Sequence, residues 1–155
     1  MYFSDDMRQL VLLFKKHNVD FAVCGGFAVA HYGFVRMTMD FDLLVNPSQD
    51  NAKRIMLALE EFGFGRVGVS AEDFQKPGTA VTLGEQPNQI DLLTSMSSVP
   101  AGEILDRAVI TQIGEVEVKV VSYKDLIVAK QEADRPKDRI DLDELKKQND
   151  ESSFL

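Results

Sequence analysis

The chain is 155 residues long, 45% hydrophobic and 27% charged, with a formal net charge of −8. That is enough apolar material for one domain with a real core, and too much for a disordered chain. No apolar run reaches membrane-span length, and an acid excess without any basic block of five residues excludes a long groove for strong non-specific nucleic-acid binding.

The first predicted element is a helix. Ser4 caps it, Asp5 and Asp6 suit its positive end, and Met7, Leu10, Val11 and Phe14 recur on one face until about His17–Asn18. "DFAVC" is a short apolar strand stopped by Gly25–Gly26, and "FAVAHYG" is a short helix that Gly33 can end. "DFDLLV" is a second strand, closed by Asn46–Pro47. Ser48 caps the next helix, whose buried stripe is Ala52, Ile55, Met56, Leu59 and Phe62, with Gly63 at its end.

Residues from Gly65 to Gly78 are expected to hold a short strand and a turn. "TAVTL" and "QIDLLT" are strands separated by the loop "GEQPNQ", and Ala101 to Ala108 is a short helix. "VITQIGEVEVKVV" is a hairpin turning at Gly114–Glu115. Ser122 caps a helix through "YKDLIVAKQEA", and Pro136 opens the last helix, with Ile140, Leu142 and Leu145 as its apolar positions. The expected architecture is a single α/β (α+β) domain over residues 1–147, a mixed sheet flanked by helices, followed by a polar tail over 148–155. "MYFSDDMRQL" lacks the basic and apolar regions of a secretory signal, and Cys24 is the only cysteine. A reducing cytoplasm is the expected location.

Two acids interrupt the apolar strand 40–45. Residues i and i+2 of a strand share a face, so Asp40 and Asp42 project together while Phe41, Leu43 and Val45 form the core row. Two carboxylates so close repel unless they are solvated, hydrogen-bonded or neutralised by a cation. Mg²⁺ (or Mn²⁺) takes oxygen ligands and uses one or two protein carboxylates with substrate phosphates. Asp91 sits in another predicted strand. If the two strands are neighbours, three carboxylates converge in the layout of a two-metal site for in-line phosphoryl displacement. Gly25 and Gly26, between a strand and a helix, let main-chain N–H groups approach an anion. By contrast, the Asp-x-Asp at Asp141 and Asp143 falls on a predicted helix and reads as a solvated face, with Asp141→Asn costing at most a few tenths of a kcal/mol.

The stretch "VCGGFAVAHYGFVRMTMDFDLLV" resembles the signature of the nucleotidyltransferase superfamily related to DNA polymerase β. "HYGFVRMTMDFD" is similar in particular to the bacterial branch of toxin-like and antibiotic-modifying transferases. So is "DLIVAKQEADRPKDRIDLDEL", which carries Lys130, Arg135, Lys137, Asp138 and Asp141. The resemblance implies transfer of a nucleoside monophosphate from an NTP to an acceptor, with release of pyrophosphate. It implies that Asp40 and Asp42 bind metal, that Asp91 completes the site and takes the acceptor proton, and that Gly25 and Gly26 cradle phosphates. Gly26 stands where many members have Ser. The acceptor is left open as a protein side chain, an RNA end or a small hydroxylated molecule.

Arg36 and Thr38 precede the Asp strand and are expected to contact the nucleotide. Arg36 can reach a nucleotide phosphate, and equally can pair with an acid. Lys130 can reach the triphosphate, or pair with Asp125 or Asp134. The alternative function is a non-catalytic module of the same fold, an antitoxin or nucleotide-binding partner protein.

Overall fold

The computed structural model describes residues 2–63 and 68–149. Their order is α1 (Asp5–Lys16), β1 (Phe21–Cys24), α2 (Gly25–His31), β2 (Asp40–Val45), α3 (Gln49–Phe62), β3 (Ala80–Leu83), β4 (Gln89–Leu93), α4 (Ala101–Arg107), β5 (Val109–Ile113), β6 (Val116–Val120), α5 (Tyr123–Ala133) and α6 (Pro136–Asn149). The strands form one six-stranded sheet in the order β3-β4-β2-β1-β6-β5. It is mixed. β2 runs parallel to β4 and antiparallel to β1, β1 runs parallel to β6, and an antiparallel strand closes each edge.

Local chemistry sets the helix starts. The Ser4 hydroxyl accepts from the Met7 N–H, Ser48 from Asn51 and Ser122 from Asp125, each satisfying a donor with no partner inside its helix. Asn51 is buried and joins two segments. Its Nδ2 donates to the carbonyls of Asp20 and Asn46, and its Oδ1 accepts from the Asp20 N–H at 2.7 Å. The start of β1 is thereby tied to the turn between β2 and α3.

One sheet face is apolar. Register places Phe21, Val23, Phe41, Leu43, Val45, Ile90 and Leu92 on it. Phe41 meets Phe3 and Phe27 edge-on, and Phe14 of α1 meets Phe21 in the same way. The opposite face carries Cys24, Asp40, Asp42, Gln89, Asp91 and Leu93. Beside it, Leu126, Ala129 and Lys130 of α5 help line a cavity of about 140 Å³ with Cys24, Gly25 and Leu93.

Three sequence expectations need correction. Gly25 and Gly26 do not lie between β1 and α2; they are the first two residues of α2. The described part of the 65–78 stretch holds one 3-10 turn, Asp73–Gln75, where a strand was expected, and its Phe74 is fully buried; residues 64–67 lie outside the described residues. On α6 the expected apolar stripe holds at Leu145, which is buried, and in part at Leu142, but not at Ile140. Ile140 is 58% exposed, whereas the buried residues are Asp138, Asp141 and Leu145. The helix also runs on to Asn149, and residues 150–155 of the expected tail lie outside the described residues.

Candidate active site

Asp42 of β2 lies directly opposite Asp91 of β4, and Asp40 is two residues back on the same face. One carboxylate oxygen from each of the three lies within 4.8 Å of the others. The parallel pairing of β2 with β4 makes this possible. A register slip of one residue would send Asp91 to the apolar face.

The neighbours fix two of these carboxylates. The Thr38 hydroxyl donates to Asp40 Oδ1 at 3.1 Å or to the Asp40 carbonyl at 3.2 Å. Thr82 donates to Asp91 Oδ1 at 2.8 Å, and the Gln89 amide reaches both Asp91 oxygens at 3.1 and 3.2 Å. Sequence reasoning missed Thr82 and Gln89. Gln89 was readable, because it stands two residues before Asp91 on the same strand face. Thr82 depends on knowing which strand pairs with β4.

Asp42 shares a side-chain hydrogen bond only with Asp91, a member of the same cluster, and carries the electrostatic load. Burial, then the charges of Asp40 and Asp91, push its pKa up to about 7. The same environment, led by burial, raises the Cys24 thiol well above its usual range. A hard divalent cation such as Mg²⁺ or Mn²⁺ takes oxygen donors and would relieve this like-charge repulsion. The three carboxylates therefore fit such an ion.

Gly25 is held close to Asp42, and Gly26 close to Thr38. Gly25 has φ +62, and a Cβ there would overlap the Asp42 carboxylate. At Gly26 a Cβ would stand 2.8 Å from the Thr38 hydroxyl and 2.9 Å from its Cβ. Thr38 occupies the space a Ser at 26 would need, which is a physical reason for glycine there. Gly25→Ala is expected to lower stability by about 1–3 kcal/mol and to weaken divalent-ion binding by displacing Asp42. Gly63→Ala, at φ +102 with open space around it, is the control. Differential scanning calorimetry should show the larger loss at Gly25, and equal losses would mean that the Asp42 contact costs nothing.

The remaining expected site residues sit in a buried charge network beside this cluster. Arg36 binds Asp141 through both carboxylate oxygens, at 2.7 and 2.9 Å. Lys130 lies between Asp141 at 2.9 Å and Asp138 at 3.2 Å. Arg135 meets Asp138 at 2.6 Å. Asp138 and Asp141 are 0% and 1% exposed, which overturns the solvated reading of Asp141; Asp143 is exposed as expected. Lys130 does not pair with Asp125 or Asp134, which are held by Arg107 and Arg139. Burial disfavours the charge on Asp138, yet Arg135 and Lys130 outweigh it and hold its pKa at about 2. Asp141 is lowered in the same way, against burial, by Arg36 and Lys130. Arg135 of this network and the neighbouring Lys137 both act on Asp42 through space.

Among the described residues no helix is long and apolar enough to cross a membrane. A family model described as "Nucleotidyl transferase of unknown function (DUF2204)" matches residues 3–155. No curated protein matches the chain.

Proposed function

The chain belongs to this family of nucleotidyl transferases of unknown function, and on that premise we propose that it is a metal-dependent nucleotidyltransferase acting on an NTP and a hydroxyl acceptor. The observation that supports this most is the convergence of Asp40, Asp42 and Asp91 within 4.8 Å on two adjacent parallel strands. Asp40 and Asp42 would hold Mg²⁺ or Mn²⁺, with Asp91 completing the donor set. When bound, the cation supplies positive charge to the triphosphate and to the departing pyrophosphate.

The chain's own residues do the rest. Asp91, oriented by Thr82 and Gln89, takes the proton of the acceptor hydroxyl as its oxygen bonds to the α-phosphorus and the bond to pyrophosphate breaks. Thr38 holds Asp40 in position. The absence of side chains at Gly25 and Gly26 lets phosphate oxygens approach main-chain N–H groups. Nucleotide contact by Arg36 or Lys130 requires each to share its present acid partner with a phosphate. A cytoplasmic setting and kinship with the toxin-like and antibiotic-modifying branch belong to the same reading.

The experiment is transfer of label from each α-³²P-labelled NTP, with Mg²⁺, to components of a cell extract. Label should move to an acceptor, and should not move with chelator or with Asp91→Asn. No transfer from any of the four NTPs, with divalent-ion binding intact by calorimetry, would assign the chain to a non-catalytic module.

A further inference from the structure

Beyond the turn at Tyr32–Gly33, residues Phe34 to Asp40 alternate strictly between part-buried and exposed. The inner row is fastened: Arg36 to Asp141, Thr38 to Asp40, and Asp40 in the acid cluster. The outer row, Val35, Met37 and Met39, is 69%, 84% and 42% exposed. A period of two is that of an extended strand. With Tyr2 and Pro87 these side chains border an open groove of about 630 Å³. Tyr2, Val35, Met37 and Met39 are four of the nine large hydrophobic residues exposed among the described residues, so the patch is a concentration rather than the ordinary scatter of surface apolar groups.

The main chain of the same segment is also unpartnered. No N–H or C=O of residues 35–39 bonds to the main chain of another described residue. The Met37 carbonyl receives only a 3.4 Å contact from the neighbouring Arg36 guanidinium. The segment thus leads into β2 outside any strand, its main chain unpaired with that of any other described residue and its inner row pinned.

We propose that Val35–Met39 is the docking surface for an extended polypeptide segment of a protein partner, apolar at alternate positions and free of excess acid. A row of unpaired main-chain groups is matched by another main chain, and side chains at every second position supply the selectivity. Methionines adapt to varied apolar partners. A small molecule would be expected in an enclosed concave site, whereas Met37 stands out into solvent. A net charge of −8 disfavours both nucleic acid and a second copy of this chain. The proposal does not depend on the transfer reaction, so it is tested without metal or nucleotide.

A random seven-residue peptide library is selected on the wild-type protein and counter-selected on the double variant Val35→Ser/Met37→Ser. Both substitutions are neutral and exposed, so they leave the charge unchanged, and thermal unfolding of the variant confirms that it is folded. Selected peptides should alternate apolar residues. By fluorescence anisotropy in EDTA, a synthetic one should bind the wild type at least tenfold more tightly than the double variant. Methylation of alternate peptide nitrogens should weaken it by a similar factor. The proposal fails if no peptide prefers the wild type, or if the methylated peptide binds equally well. It also fails if sedimentation shows a dimer that the double variant abolishes, which would give the face to a second copy.

Discussion

Asp141→Ala is expected to cost about 3–5 kcal/mol of stability, the range for removing one member of a buried ion pair. The side chain is 1% exposed and receives Arg36 at 2.7 and 2.9 Å and Lys130 at 2.9 Å. Arg36, Lys130 and Arg135 face only Asp138 and Asp141 in this network. Losing one acid leaves three cations against a single anion, with Lys130 still buried. Asp143→Ala, two residues further on and exposed, should change stability by no more than about 0.5 kcal/mol. Urea unfolding followed by circular dichroism distinguishes the two, and coincident midpoints would remove the network from the account of stability. The pH dependence has a definite sign. Asp138 and Asp141 have lowered pKa values in the folded state, so their contribution is complete above the unfolded carboxylate value of 3.8. It is lost as pH falls from there through about 2, where Asp138 titrates.

Asp42→Asn should act in the opposite direction. Its pKa is raised from 3.8 to about 7 in the folded protein by burial and by Asp40 and Asp91. The metal-free wild type therefore gains most from the neutral carboxyl below pH 4, and loses that gain as pH rises from about 4 to about 7. The asparagine variant has no charge to bury. Without divalent ions it should be on the order of 2–3 kcal/mol more stable than wild type at pH 8, after allowance for partial solvent access, and close to it at pH 4. Excess Mg²⁺ should reverse the order at pH 8, because a ligand that binds only the native state stabilises by mass action. Nucleotide transfer should be abolished in the variant. Thermal unfolding at the two pH values, with EDTA and with Mg²⁺, makes the comparison. A variant that keeps the wild-type pH dependence would mean that the repulsion at Asp42 is not a feature of the folded state.

The parts of the site that follow local rules were legible in the sequence. Asp40 and Asp42 share a face because they lie on a strand, and Ser4, Ser48 and Ser122 announce their helices by position alone. Asp91 needed one further assumption, that its strand lies beside β2, which the register supplies. What could not be read depends on distant partners. An aspartate on a helix reads as solvated until Arg36, 105 residues earlier in the chain, is found against Asp141. Ile140 follows the expected stripe in type but not in place, because α6 turns its acids inward. The closeness of Gly26 to Thr38 leaves no trace in spacing.

The same Arg36–Asp141 contact bears on how the protein is made. The strands carrying Asp40, Asp42 and Asp91 are synthesised well before α6, and Arg36 must wait for a partner 105 residues downstream. Asn149 of α6 likewise donates to the carbonyl of Tyr32, across 117 residues. A domain folds as a unit, so during synthesis the segment leading into the acid cluster cannot be fastened until α6 has been made. Because α6 sets that segment, a chain released before α6 would carry the carboxylates without the Arg36 anchor of the loop that leads to Asp40.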